Sequence, residues 1–449
     1  MIQSTRVRLL KESESSGGKY VLYWMQASQR SRFNHALEYA IEQANKLGLP
    51  VVVCFGLMDN YPEANERHYA FMLQGLADVQ RNLEKRGIHF IIQHGNPPDI
   101  AVRCAKDAAL LVCDRGYLRH QKRWRDHVAD HAHCQVVQVE SDVVCPVEEV
   151  SDKAEFAART IRPKIHRIWK DYLVPLKAGK VKHQTAQIPL KSDIDLRDVP
   201  AALARLKIDR SVQPSTRFHG GEDSAANLLK RFIAEHLVEY AEKRNAPADD
   251  ATSHMSAYLH FGQISPLEIA LAAMDATSAP AADRDSLLEE LIVRRELAFN
   301  YAQFKPDYDS FEGLPNWAKL TLAKHENDKR ETIYSREQLE EAQTHDPNWN
   351  AAQREMTSTG FMHNYMRMYW GKKILEWKQT PQEAFADTLY LNNKYFLCGR
   401  DPNSFASVAW IYGSHDRPWG ERKIFGTVRY MNAAGLKRKF DIEAYVGKW

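Results

Sequence analysis

A chain of 449 residues is long for one hydrophobic core, and at about 100 to 200 residues per domain it predicts two domains. Its 44% hydrophobic and 27% charged residues, with no apolar run near the roughly 18 residues of a membrane-spanning helix, exclude a disordered chain and a helical membrane protein. A net charge of only +3 gives no case for nucleic-acid binding from total charge, so such binding requires a local patch.

The N-terminus, MIQSTRVRLLKESESSGGKY, carries charges where a signal peptide has its apolar stretch, and a cytoplasmic location is expected. From Tyr20 to about Val144, the runs YVLYWM, PVVVCFGL, HFIIQHG, ALLVCDRG and CQVVQVES alternate with polar segments of helical spacing. Continuous apolar runs are the pattern of strands buried on both faces, which predicts a Rossmann-like α/β unit with about five parallel strands. Neither GxGxxG after a strand nor GxxxxGKS/T occurs, which argues against the usual dinucleotide or triphosphate site there. His127, His131 and His133 cluster in HVADHAHC without an acidic or cysteine ligand at a completing distance, so no metal is expected. The six cysteines form no CxxC pair and read as reduced thiols.

Prolines at 146, 163, 175, 189, 200 and 214 and the polar run KAGKVKHQTAQ mark residues 146–219 as a connector between a domain at 1–145 and another at 220–449. Past Gly221 helical patterns dominate, as in SLLEELIVRRELAFNYAQF, where Leu288, Leu291, Ile292 and Phe299 share a stripe. An α/β unit followed by an all-α domain is the fold class this predicts.

Three stretches carry chemistry. TSHMSAYLHFGQISP presents Thr252, Ser253 and Ser256 at a helix start, suited to a phosphate, although capping without a ligand is the more frequent outcome. MRMYWGKKILEWK puts Trp370 and Trp377 seven residues apart on one helical face, with Trp349 in NWNAAQREM. Indoles so spaced can pass electrons by hopping, yet core packing is the usual fate of tryptophan. Residues 390–432 mix amides, Arg/Asp and indoles in a Gly/Pro-broken region, a mixture suited to a stacked and hydrogen-bonded heteroaromatic ligand. LKRKF adds the basic patch of Lys437, Arg438 and Lys439.

In order, YAEKRN, TSHMSAYLHFGQIS, EELIVRREL, WNAAQREM, MHNYMRMYWGKKILEW, LYLNNKY, GRDPN and VRYMNAAGLKRKFD resemble the class II cyclobutane pyrimidine dimer photolyases across nearly all of residues 240–449. The resemblance implies a helical domain that binds FAD, active as its reduced anion, and UV-damaged DNA whose flipped-out dimer is split by an electron released in blue light. It places Tyr240, Thr252, Ser253, His254, Met255, Ser256 and Asp401 around FAD, with Arg367 and Asn392 against its ring system. Glu296 is implied as the dimer's hydrogen-bonding partner, its pKa raised by burial. Arg244 and Asn245 would contact the lesion, with Met368 beneath it and Trp410 and Trp419 beside it, while Arg417 and Arg429 would serve the DNA backbone or the gap left by extrusion. An electron chain is implied from Trp370 through Trp349 to Trp377. Cys398 stands where the resembling family has Asp paired with the arginine matching Arg367, Asn393 replaces another Asp, and WIYGSHDRPW is one residue short. A cryptochrome-like FAD light sensor is therefore the alternative. The N-terminal unit is a candidate site for a second, antenna chromophore of unspecified identity. A monomer with no membrane partner is expected.

Overall fold

The computed structural model describes residues 2–13, 17–184 and 188–449; the end of the KAGKVKHQTAQ run, residues 185–187, lies outside them. The five apolar runs form β2 (Tyr20–Trp24), β3 (Val51–Leu57), β4 (His89–His94), β5 (Ala108–Asp114) and β6 (Gln135–Val139). All five are parallel neighbours in the order β6-β5-β2-β3-β4. Every residue of β2 and β3 is buried, because helices cover both faces. A sixth strand, β1 (Val7–Lys11), pairs antiparallel with β6 at the edge. Its five residues, VRLLK, are mostly half-buried or exposed and show no apolar run, so the sequence expectation of five strands missed it.

The chain runs outward from β2 to β3 and β4, then returns to place β5 on the other side of β2. This reversal opens a crevice beyond the carboxyl ends of β2 and β5, the usual ligand position in an open α/β sheet. Asp114, closing β5, shapes it by accepting from the backbone N–H groups of Gln26, Ala27 and Ser28 at 2.8, 3.0 and 3.0 Å.

Residues 146–219 are not a free tether. They contain the helices Val147–Val150, Ala158–Tyr172 and Val199–Ala204, and return Ile194, Leu196, Ala202 and Leu206 to the core of the α/β unit. Helices dominate from Glu222–Glu235 onward. The two regions meet closely at Gly262, whose φ of 65° and lack of a side chain are both required: a Cβ would lie 1.9 Å from the Ala27 carbonyl oxygen. Arg30, fully buried, bonds Gly262 O at 3.0 Å across the same junction and is held by Asp142 of its own unit at 2.9 Å. Among the described residues no helix is long and apolar enough to cross a membrane.

Candidate active site

A cavity of about 700 Å³ opens in the helical region. One end is walled by Tyr240, Arg244 and Asn245, another by Ser253, Met255 and Ser256, and the far side by Arg367, Met368, Cys398 and Asp401. Five arginines (244, 294, 295, 367 and 429) line it against two carboxylates, Glu290 and Asp401. Such an excess favours an anionic occupant. Burial pushes the Asp401 carboxyl up to about 6, against the opposing pull of the Ser404 amide and Arg295.

Two donors on residues of the cavity wall have no protein partner: Arg367 Nε and Arg295 Nε. Buried donors left unpaired cost about 1 to 3 kcal/mol each, so a ligand with acceptor oxygens or ring nitrogens suits them. Arg367 is oriented by Phe396, whose ring centroid lies 3.7 Å from its guanidinium carbon, and donates from Nη2 to the Cys398 sulfur at 3.4 Å.

Behind Phe396 runs a line of indoles. Trp370 lies 6.4 Å from Phe396, stacks on Trp349 at 6.4 Å and 10°, and Trp349 meets Trp377 at 5.5 Å. Two helices, Pro347–Thr359 and Asn364–Trp377, bring them together. Trp349 Nε1 donates to Trp370 O at 2.9 Å and Trp370 Nε1 to Gln353 Oε1 at 2.8 Å, which fixes both rings. All three are core residues, buried to 2% exposure or less, so packing and contiguity coexist.

The sequence assignment of Glu296 is corrected. Its carboxyl is absent from the cavity lining and accepts from the backbone N–H groups of Val144 at 2.5 Å and Cys145 at 3.2 Å, tying the end of the N-terminal unit to the helical region. The carboxylate in the cavity wall is Glu290, paired with Arg244 at 3.1 Å. Six residues on a regular helix turn about 240°, so the two cannot share a face. Glu290 sits in a π-helical turn, Glu289–Arg294, that also turns Leu291 and Arg294 toward the cavity.

Other expected residues divide. Tyr240, Ser253, Met255, Ser256, Arg367, Cys398 and Asp401 line the cavity, as do Arg244, Asn245, Met368, Trp410 and Arg429. His254 turns away at a φ of 54° and pairs with Asp250 at 2.9 Å, and the Thr252 hydroxyl is buried outside the wall. Asn392 sits behind the lining and donates to Ser404 Oγ, which with Asn403 forms the wall in its place. Trp419 and Arg417 are not in the lining; Trp419 is exposed, with the Arg417 guanidinium carbon 5.3 Å from its ring. Arg429 is held by Asp416 at 2.8 Å, with its guanidinium carbon 5.4 Å from Trp410 and 4.2 Å from the exposed Trp419. Glu290, Arg294, Arg295, Asn403 and Ser404 escaped the sequence reading; the Glu-Glu pair opening EELIVR was their one visible signal.

Burial pushes the Glu296 carboxyl up to about 8, although two amides and Arg295 oppose it. With a folded pKa above the unfolded value of about 4.3, the fold retains a proton that the unfolded chain has lost, so this group's contribution to stability falls between about pH 5 and 8 and is level above. Glu296→Gln is expected to remove that loss. Urea unfolding at the two pH values should show the parent losing at least about 1.4 kcal/mol more than the variant, one pKa unit's worth; equal losses would refute the assignment.

A second cavity occupies the sheet's crevice. Its wall comes from Gln26 and Gln29 after β2, Leu57 and Met58 at the end of β3, Arg115 and Tyr117 after β5, and His260, Arg400 and Asp401 from the helical region. Gln29 Oε1, His260 Nδ1 and Arg400 Nη1 lack protein partners there, and Tyr61 and Trp124 supply aromatic faces. Asp401 borders both cavities.

An α/β unit set against a helical region, with an arginine-rich cavity between helices beside a contiguous indole line, defines a ligand-binding architecture suited to an extended anionic molecule. A DNA photolyase family model matches residues 21–182. Over its whole length the chain is 49% identical to a deoxyribodipyrimidine photo-lyase of Methanothermobacter thermautotrophicus, covering 98% of it. With 99% of the chain aligned, identity to the enzyme of that name from Potorous tridactylus is 40%, over 84% of that protein. Among solved structures, a class III photolyase from Agrobacterium tumefaciens superposes with a TM-score of 0.73 at 20% identity, over 97% of this chain and 87% of that one. A Synechocystis cryptochrome gives 0.75 at 17%, over 97% and 89%. The chain belongs to the DNA photolyase family.

Proposed function

We propose that the protein is a light-dependent DNA repair lyase that splits cyclobutane pyrimidine dimers, with FAD held in the larger cavity. The observation that carries this reading is the Arg244–Glu290 pair beside Met368 and Trp410 in a cavity adjoining the indole line. A pyrimidine edge offers carbonyl acceptors and an N3–H donor; an arginine beside a carboxylate complements both. The cavity's arginine excess and unpaired donors fit a phosphate-bearing flavin. When bound and reduced, FAD supplies on blue-light excitation the electron that loosens the dimer.

The chain's own residues do the rest. Arg367 holds positive charge against the flavin site, Glu290 and Arg244 orient the flipped base, and Met368 and Trp410 bound its pocket. The Trp410, Arg429 and Trp419 stack forms an edge against which the opened duplex rests. Lys437, Arg438 and Lys439, on the helix Ala433–Lys439, supply phosphate contacts whose strength falls with salt. The second cavity is the place for an antenna chromophore, supported by its aromatic walls and by the border it shares with the first at Asp401.

The test is repair of dimer-containing DNA by the FAD-loaded protein in blue light and in darkness, followed by restored thymines. Repair in light alone is expected. Equal yields, or none in either, overturn the proposal, and the second result leaves a light sensor.

Cys398 carries a separate expectation. A sulfur rather than a carboxylate faces Arg367 at 3.4 Å, so less of the guanidinium's charge is offset there, which favours a reduced, anionic flavin. Cys398→Asp is expected to lower the flavin's midpoint potential, by about 59 mV for each 1.4 kcal/mol of added repulsion in a one-electron step. An unchanged midpoint in spectroelectrochemical titration would count against this role.

A further inference from the structure

The indole line does not end at Trp377. Tyr334 lies edge-on to Trp377 with ring centroids 5.3 Å apart, closer than Trp349 lies to Trp370, and His345 is 5.5 Å from the same indole. The Tyr334 hydroxyl oxygen accepts from the His345 backbone N–H at 2.8 Å, so its proton is free to point at His345 Nδ1, 2.7 Å away. Backbone contacts hold the arrangement: Tyr334 N–H donates to Trp377 O at 3.3 Å, and Lys378 Nζ bonds Tyr334 O at 3.2 Å. Tyr334 is buried and His345 exposed, so the imidazole links an enclosed phenol to water.

We infer that Tyr334 is the final electron donor of the chain and that His345 takes its proton. The inference rests on the electron-chain reading above. In the step, Tyr334 gives one electron to the oxidised Trp377 and restores the indole, while its O–H bond breaks and the proton passes to His345 Nδ1. A neutral phenoxyl radical and an imidazolium remain; His345 then releases a proton from Nε2 to solvent. A thiol in solution completes the cycle by returning one electron and one proton to the phenoxyl.

Electrostatics favour that direction. Lys373 Nζ lies 5.5 Å over the Trp377 ring, with Glu376 at 2.8 Å sharing its charge, and a cation above an indole disfavours a radical cation there. Tyr334, by shedding its proton, ends uncharged.

The experiment is flash excitation of the protein loaded with oxidised FAD, read by transient absorption and rapid-freeze electron paramagnetic resonance without added thiol. In the parent a tyrosyl spectrum is expected to replace a tryptophanyl one. Tyr334→Phe should keep the tryptophanyl signal, lose the tyrosyl one, and recombine about tenfold faster, the ratio equivalent to about 1.4 kcal/mol of lost trapping energy. His345→Gln should slow tyrosyl formation, and added imidazole should restore it, which a purely structural role would not do. A long-lived tryptophanyl radical unchanged in Tyr334→Phe overturns this inference and leaves the indole chain standing. The absence of either radical in the folded parent overturns both.

Discussion

Trp370→Phe is expected to slow light-driven reduction of bound oxidised flavin at least about 100-fold, a barrier increase of about 2.7 kcal/mol. Phenylalanine fills most of the space of the indole but is far harder to oxidise, so the step between the cavity wall and Trp349 is lost. Trp370 occupies that place alone: Phe396, 6.4 Å toward the cavity, is no donor, and Trp349 lies a further 6.4 Å outward. The substitution also leaves Gln353 Oε1 without its 2.8 Å donor, at a cost of about 1 to 3 kcal/mol, so a thermal melt belongs beside the photochemistry. Trp24→Phe is the control. Trp24 is equally buried, in β2, and its Nε1 has no partner to lose. Photoreduction at the parent's rate in Trp370→Phe would return the three indoles to packing alone.

Features set by local spacing were legible in the sequence, and those assembled from distant segments were not. Five strands were visible because burial on both faces makes them uninterrupted apolar runs; β1, a charged five-residue edge, has no such signature. The i, i+7 relation of Trp370 and Trp377 follows from one helix, whereas the stack with Trp349 depends on two helices crossing. His254 falls inside an expected cofactor motif, yet its left-handed φ of 54° turns the ring to Asp250. The connector's proline pattern gave no hint that Ile194 and Leu196 would rejoin the α/β core. The second cavity draws its wall from residues 26 to 402, a combination that no local window contains.

The same distinction separates the glutamate in the cavity wall from the one outside it. EELIVRREL holds Glu289, Glu290 and Glu296, and regular helical spacing selects none of them; the π turn at Glu289–Arg294 and the Val144 and Cys145 amides do. Glu290→Gln is expected to lower repair in light about 10- to 100-fold, because a charge-assisted hydrogen bond worth about 1.5 to 3 kcal/mol becomes a neutral one and Arg244 loses its partner. Binding of undamaged DNA, governed by phosphate contacts, should be nearly unchanged. Glu296→Gln, the same substitution six residues away, should repair within a few-fold of the parent, since its carboxyl bonds only the Val144 and Cys145 backbone at the end of the N-terminal unit. A comparison of the two variants under single-turnover light flashes separates the assignments. If Glu296→Gln abolishes repair while Glu290→Gln does not, the dimer is read from the other face of the helix, and the Arg244–Glu290 pair is a structural ion pair at the cavity wall.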